Sequence, residues 1–423
     1  MIKISYIDFV NLKYKPKKSD LMCLFYVEPF QVSMKEAAGA VAAESSVGTW
    51  TELTTETKRI ARMRAKVFEI KDNYIKVAYP AELFERENMP EILSSIAGNI
   101  FGMKIVKNLR LEDIEFPESI IKSFKGPAFG INGIRKLLNV KGRPLVGTIV
   151  KPKLGLNSKE HAKVAYDAWL GGCDIVKDDE NLSSQDFNKF RERVMYTLIA
   201  RDKAEKETGE KKAYLPNITA ETEEMIDRAN FVRHNNGNYL MVDIITMGWS
   251  ALQTVRKHNF KLPLHAHRAG YAALSRNKKH GISMLTIAKI ARLIGVDSLH
   301  IGTAVGKMEG PTKEVAEIEE EIELSLIKKD QPSHILEQKW YNIKPVMAVC
   351  SGGLYPTLVP SLIKMFGKNI IIQAGGGIHG HELGTTAGAT AMRQAVEASL
   401  KGISLREYAK NHKELYIALR QWH

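Results

Sequence analysis

Cysteine is scarce in this chain: three in 423 residues, at Cys23, Cys173 and Cys350. They stand too far apart for a zinc motif and are too few for a disulfide framework, so a reducing cytoplasm is the expected setting. Long apolar runs are missing too. No stretch reaches the roughly 20 residues of a membrane span. Met1-Ile2-Lys3-Ile4-Ser5-Tyr6 lacks the apolar core of a secretory signal. No membrane partner is expected. Clustered basic charge is also missing. The formal charge is +13, but the lysines and arginines are spread along the chain. No helix-turn-helix, zinc-finger or RNA-binding pattern accompanies them, so nucleic acid is not an expected partner. Most of the excess reads as solvated surface, with a few charges left for an anionic substrate.

What is present is the composition of an ordinary globular enzyme, 44% apolar and 26% charged. Residues 1–125 read as an N-terminal α+β domain. Leu21–Val27 is a strand, and Lys66–Ile70 and Tyr74–Tyr79 flank Asp72-Asn73 as a hairpin. Met89-Pro90-Glu91 opens a helix through Ile96. Glycine and proline then increase at Gly126-Pro127-Ala128-Phe129-Gly130, which marks the boundary of a second domain, residues 126–423.

In the second domain apolar strands alternate with helical patterns. Strands are expected at Leu145–Val150, Cys173–Lys177, Ala213–Asn217, Leu240–Ile244, Leu262–His267, Ser298–Ile301, Val346–Val349 and Ile370–Ala374. Ser184 is placed to cap a helix carrying Phe190, Val194 and Leu198. Further helices are expected at Glu223–Val232, Leu285–Leu293, Val315–Ile327 and Leu358–Phe366. Eight strands with crossover helices suggest an α/β fold, a C-terminal (β/α)8 TIM barrel. An open doubly wound sheet gives a similar pattern. The barrel is favoured by the residues at the strand ends: Lys151 and Lys153, then Lys177, Asp179 and Glu180, then His267 and Arg268, His300, Ser351-Gly352-Gly353 and Gly375-Gly376-Gly377. Active sites of such barrels lie at the carboxyl ends of the strands.

The densest of these stretches is Gly171-Gly172-Cys173-Asp174-Ile175-Val176-Lys177-Asp178-Asp179-Glu180. Lys177 and Asp179 alternate and so face the same way on an extended chain. Asp179 and Glu180 are hard oxygen donors of the kind Mg²⁺ prefers. A lysine among them makes sense only if its charge is inverted. In Lys151-Pro152-Lys153 two lysines come directly after a strand; a lowered pKa would make Lys151 a proton donor or acceptor. His265-Ala266-His267 could be a zinc pair, or a packed histidine beside an exposed one. The glycine triplet could be a turn, or a loop whose N–H groups approach an anion. Gly302-Thr303-Ala304-Val305-Gly306-Lys307-Met308-Glu309-Gly310 reads as a loop with glycines at its ends and Lys307 near its tip.

Together these strings resemble the large chain of ribulose-bisphosphate carboxylase/oxygenase, RuBisCO, and most of all its archaeal form III. Lys151-Pro152-Lys153-Leu154-Gly155-Leu156 matches the family motif without a change. The resemblance implies Mg²⁺ held by Asp179, Glu180 and Lys177, the lysine carrying activator CO2 as a carbamate. It implies catalytic roles for Lys151, Lys153 and His267, and for Lys177 as base. Arg268, His300 and Ser351 would grip one phosphate; Gly353, Gly375 and Gly376 would cradle the other. Lys307 would sit on a mobile lid and orient CO2. Glu44, in Glu44-Ser45-Ser46-Val47-Gly48-Thr49-Trp50, would pair with Lys307 from the partner subunit, while Thr49 and Trp50 contact a phosphate. Asn99 would lie near the metal.

The implied reaction joins D-ribulose 1,5-bisphosphate, CO2 and water into two 3-phosphoglycerates. O2 in place of CO2 would give 3-phosphoglycerate and 2-phosphoglycolate. The subgroup implies ribulose bisphosphate drawn from AMP and other nucleosides, and a homodimer or ring of dimers with no small subunit. Three departures touch the lid: the chain ends at Trp422-His423, Met308 stands where leucine is commoner, and Tyr271 replaces a usual histidine. Two rivals are a RuBisCO-like enolase or isomerase on the same scaffold, and a basic nucleic-acid-binding protein with an inactive barrel.

Overall fold

A computed structural model describes residues 5–51, 53–305, 312–330 and 332–422. Compactness divides the chain into two units. The first joins Met1–Gly126 with Gly270–Ile294 and Leu324–Ile343; the second joins Pro127–Ala269, Gly295–Glu323 and Lys344–His423.

In the first unit, strands β1 (Leu21–Pro29), β2 (Lys66–Lys71), β3 (Tyr74–Tyr79) and β4 (Val106–Glu115) form an antiparallel sheet. The expected hairpin is there, turning at Asp72, whose φ is 52°. Strand β4 has no clear alternation in its sequence, and its pairing with β1 is interrupted by two register shifts. Helix Met34–Glu44 is fixed at its start by a capping box: Ser33 Oγ accepts from the Glu36 N–H at 3.2 Å, and the Glu36 carboxylate accepts from the Ser33 N–H at 2.9 Å. Helix Met89–Ile96 carries Pro90 in its first turn, as expected.

The later segments of this unit hold to β4. The short strand β10 (Gly281–Ile282) pairs with it in parallel, and helix Met284–Ile294 is buried on every side. Lys289 of that helix reaches Asp113 of β4 at 2.6 Å. Two short strands, β12 (Leu326–Ile327) and β13 (Gln338–Lys339), form a hairpin in the same unit.

The second unit is the barrel. Its strands are β5 (Leu145–Ile149), β6 (Ile175–Lys177), β7 (Ala213–Leu215), β8 (Leu240–Asp243), β9 (Leu264–His267), β11 (Ser298–Gly302), β14 (Met347–Ser351) and β15 (Ile370–Gln373). All pairings are parallel, in the order β7-β6-β5-β15-β14-β11-β9-β8. The two ends of that order meet at a single parallel bridge, Asn217 to Met241. The sheet therefore curls nearly closed, which rules out the open doubly wound alternative. Its core is aliphatic, with Leu145, Ile175, Leu215, Met241, Met347, Val349 and Ile371 among the buried side chains, as expected of parallel strands covered on both faces.

Two local expectations are corrected. The helix expected over Val315–Ile327 runs Thr312–Glu323, and Leu326–Ile327 is instead strand β12, paired with β13. Ser184 does not sit at a helix N-cap: the helix runs Phe190–Thr208 and Lys189 precedes it. Ser184 Oγ instead reaches across the turn to accept from the Phe190 N–H at 3.1 Å.

Candidate active site

The second unit's functional side chains gather where its strands end. Strand β6 stops at Lys177, so the alternation expected to run on to Asp179 gives way to a turn. Asp178 anchors that turn. It is fully buried and accepts from the Tyr214 hydroxyl (2.6 Å), Arg193 Nε (3.1 Å) and the Asn217 N–H (2.9 Å), with His161 Nε2 at 3.2 Å. Burial alone would raise its carboxyl, but Arg193, His161 and Tyr214 hold it well below the usual range. With Asp178 pinned inward, Asp179 and Glu180 are left at the rim.

Lys177 is fully buried. Its ammonium donates to the Asp178 carbonyl at 2.9 Å and to Glu180 Oε2 at 3.2 Å, with Met241 Sδ at 3.7 Å. Glu180 keeps 29% of its side chain exposed. Burial works to raise its carboxyl, but Lys177 and His267 outweigh it and bring it down to about 2. Asp179 accepts from Lys151 Nζ at 2.6 Å. Lys151 in turn passes over Gly375: a Cβ added there would lie 3.2 Å from Lys151 Cε. Lys153 is exposed, and no hydrogen bond among the described residues ties it to this cluster.

The histidines resolve into distinct parts. His267 Nδ1 lies 2.8 Å from Asp243 Oδ1, and its Nε2 lies 3.5 Å from Glu180 Oε2. His265 is turned inward, with Nδ1 at 3.0 Å from Ser298 Oγ and Nε2 at 2.9 Å from His300 Nε2. Both of its nitrogens are thus committed, and it does not face outward with His267 as a zinc pair. His300 Nδ1 lies 2.6 Å from Ser351 Oγ. Burial pushes both inner imidazoles well below their usual range, so they are neutral. Arg268 is buried and crosses Gly302 so closely that a Cβ there would come within 2.6 Å of its Nη2. Gly353 has φ 70°, a conformation that favours glycine.

Glu44, Thr49, Trp50 and Asn99 belong to the first unit. Glu44 ends helix Met34–Glu44 and accepts from the Tyr6 hydroxyl at 3.1 Å. Burial, and then Glu44 itself, raise that phenol to about 12. Thr49 is half-buried, Asn99 is exposed at the start of a single 3-10 turn, and the Trp50 side chain is 81% exposed. Lys307 and Met308 lie outside the described residues.

Two polar residues were not singled out in the sequence: Asn217, just beyond β7, and Asp243, the last residue of β8. Asn217 Nδ2 donates to the Glu180 carbonyl at 3.2 Å and so braces the acidic turn; Asp243 orients His267. Position alone was the available signal, since each closes a strand on the rim already suspected.

The donor set fits Mg²⁺ under one condition. Asp179 and Glu180 are carboxylates, hard donors suited to that ion. Lys177 as an ammonium would repel it, but its Nζ is already fixed 3.2 Å from Glu180, so a carboxyl group added to that nitrogen would put further oxygens beside Glu180.

These features define a class: a (β/α)8-barrel protein with a lysine–carboxylate–histidine centre at the carboxyl ends of its strands. The chain belongs to the family of ribulose bisphosphate carboxylase large chains. The family's catalytic domain matches residues 130–422 and its N-terminal domain matches residues 8–120. Among relatives, the ribulose bisphosphate carboxylase of Methanosarcina mazei is 54% identical over 422 residues, covering 98% of this chain and 99% of that one. That of Methanocaldococcus jannaschii is 52% identical over 425 residues, covering 98% and 100%. Among solved structures, a dimeric archaeal Rubisco from Hyperthermus butylicus matches with TM-score 0.94 at 47% identity, covering 99% of both chains. An octameric Rubisco from Pyrococcus horikoshii matches with TM-score 0.93 at 46% identity, covering 100% of this chain and 97% of that one. Among the described residues no helix is long and apolar enough to cross a membrane.

Proposed function

We propose that this chain is a ribulose-bisphosphate carboxylase, converting D-ribulose 1,5-bisphosphate, CO2 and water into two molecules of 3-phosphoglycerate. An oxygenase side reaction yields 3-phosphoglycerate and 2-phosphoglycolate. The observation that carries the reading is the fully buried Lys177 at the end of β6, 3.2 Å from Glu180 and two residues before Asp179, which Lys151 holds. What sets this buried lysine apart from Lys212 and Lys289 is its place at the carboxyl end of a barrel strand.

Lys177 takes up activator CO2, and with Asp179 and Glu180 it would hold Mg²⁺. When bound, the cation makes the proton on C3 of the substrate acidic and stabilises charge on the neighbouring oxygens. Lys151 supplies or removes protons beside that centre. Lys153 is assigned to the same step, and its exposure means that substrate must draw it in. His267, held by Asp243, moves a proton through Nε2, the nitrogen that faces the rim. Arg268, His300 and Ser351 bind one phosphate; Arg268 suits this through its fork of donors. Gly353, Gly375 and Gly376 bind the other. Lys307 orients CO2 and stabilises the carboxylate as it forms.

Residues 1–125 serve as the domain that completes a partner's site, and residues 126–423, apart from the two segments that hold to β4, as the catalytic barrel. Glu44, Thr49, Trp50 and Asn99 act from the partner subunit, in a homodimer or a ring of dimers without a small subunit. The Trp50 indole, 81% exposed, is accessible to a partner subunit as that role requires. Three free, buried cysteines suit the cytoplasm. The substrate is drawn from AMP and other nucleosides.

The test is incubation of the purified protein with Mg²⁺, labelled bicarbonate and ribulose 1,5-bisphosphate without oxygen. Acid-stable label in 3-phosphoglycerate that needs both Mg²⁺ and substrate is the expected result. Unlabelled product from folded, CO2-treated protein would move the reading to the enolase-type relatives.

A further inference from the structure

The glycine loop after β15 is closed by a single hydroxyl. Ala374 precedes the triplet Gly375-Gly376-Gly377, and His379 comes after it, beyond Ile378. Both ends return to Thr148 of β5, whose Oγ1 lies 2.6 Å from the Ala374 carbonyl and 2.9 Å from His379 Nε2. A hydroxyl has one proton to give. The carbonyl can only accept, and at 2.6 Å it is much nearer than the other candidate acceptor, Ile149 O at 3.4 Å. Thr148 therefore donates to Ala374 and accepts from His379. That requires a proton on Nε2. Nδ1 then accepts from the Thr385 hydroxyl at 3.1 Å, at the start of helix Thr385–Leu400. One neutral tautomer satisfies both hydroxyls.

The surroundings leave the loop little freedom. A Cβ on Gly377 would come within 2.0 Å of the Leu354 carbonyl, and one on Gly388 within 2.0 Å of the Ile378 carbonyl. On its open side the loop meets Lys151, three residues beyond Thr148 in the chain, across the bare face of Gly375. Beyond the β15–β5 ladder, in which the Ala374 N–H donates to the Gly147 carbonyl at 3.0 Å, the side-chain tie between the loop and the strand leading to Lys151 is one short hydrogen-bonded chain: Thr385 to His379, His379 to Thr148, Thr148 to Ala374.

We propose that His379 and Thr148 are positioning residues that fix the glycine loop against Lys151, so that a phosphate on the loop and a reacting carbon beside Lys151 are held at one spacing. This rests on the reading of Gly375 and Gly376 as a phosphate cradle, and it adds two residues that touch neither phosphate nor reacting carbon. Loosening the loop should cost substrate affinity before it costs turnover.

The experiment is steady-state carboxylation by wild type, His379→Leu, His379→Gln, Thr148→Val and Thr148→Ser, with a thermal melt of each. Gln can present an N–H near the position of Nε2, and Ser keeps the hydroxyl. His379→Leu and Thr148→Val should each raise KM for ribulose 1,5-bisphosphate about tenfold, with kcat within about threefold of wild type. Gln and Ser should restore KM to within about twofold, and the Leu/Val double variant should be no worse than either single one, since the chain acts as a unit. An unchanged KM in folded His379→Leu or Thr148→Val overturns the proposal. So does a fall in kcat at constant KM, or failure of both Gln and Ser to rescue. If the Leu variant does not fold, Thr148→Val against Thr148→Ser decides alone. A wild type that fixes no label would sink the carboxylase reading itself, which separates that failure from this one.

Discussion

Lys177 and Lys289 are both completely buried beside acidic groups, and their settings differ. Lys289, in the first unit, donates to Asp113 Oδ1 at 2.6 Å and to the Ile114 carbonyl at 3.0 Å. Asp113 is equally buried and takes the N–H groups of Ile114 and Leu336 as well. Every group in that cluster faces another within the protein. Lys177, in the barrel, is as deeply buried, but its acidic partner Glu180 is partly open to solvent and one of its neighbours is the weak acceptor Met241. The first arrangement joins a helix to a strand. The second keeps a nitrogen dry and loosely held next to a carboxylate that substrate or ion can reach. Burial, charge and an open partner do not by themselves distinguish a structural lysine from a reactive one, since Lys212 is fully buried beside the more exposed Glu210 at the amino end of β7. Lys177 differs in standing at the carboxyl end of its strand, where barrel active sites lie.

The sharpest way to break this contrast is to remove each lysine in turn. Lys177→Ala should abolish carboxylation while leaving the barrel folded. Lys289→Met leaves Asp113 unpaired and should destabilise the protein by about 3–5 kcal/mol, with carboxylation per folded molecule retained. Denaturant unfolding and the labelled-bicarbonate assay, run on both, check the pair; the contrast is lost if the two variants behave alike. Lys307→Ala should spare exchange of the C3 proton yet suppress carboxylation, measured by solvent isotope uptake against product label. Weaker again, Asp243→Asn should lower kcat by about 10²-fold, because His267 keeps its place but loses the carboxylate that orients it. The measurement is kcat alongside the melting temperature, which should hardly move.

The smallest effect sits beside Lys289. Glu115, also on β4, is raised to about 7, first by burial and further by Glu337 and Asp113, although Lys289 pulls the other way. Its native pKa lies above its ordinary 4.5, so between those values the folded state holds more protons than the unfolded one. This group's contribution to stability should therefore fall as pH rises from about 4.5 to about 7 and level off above. Glu115→Gln should remove that slope, as read by denaturant midpoints across the interval.

Much of this was legible in the sequence, and the reasons are local. All eight barrel strands are within two residues of their expected ends, because buried parallel strands are written as unbroken apolar runs between turn residues. Strand β4 was not seen, since its charged residues, Lys107, Arg110, Glu112, Asp113 and Glu115, obscure any alternation; Arg110 and Asp113 find partners distant in sequence, at Asn277 and Lys289. The helix at Met284–Ile294 was legible as a helix but not as a companion of the N-terminal sheet, which depends on Lys289 meeting Asp113. At the rim, Lys177, Asp179 and Glu180 announce themselves as a charge cluster. Asp243 and Thr148 do not, because a lone aspartate or threonine ending or lining a strand has no signature until its partner is in view.

The central claim is that Lys177, among the fully buried lysines, is the one that takes up CO2. The direct measurement is carbon-13 NMR of the protein incubated with labelled CO2 and Mg²⁺, with Lys177→Ala and Lys289→Met beside the wild type. The expected result is a carbamate resonance in the wild type, its persistence in folded Lys289→Met and its loss in Lys177→Ala. A carbamate that survives Lys177→Ala, or none in the active wild type, would contradict the claim.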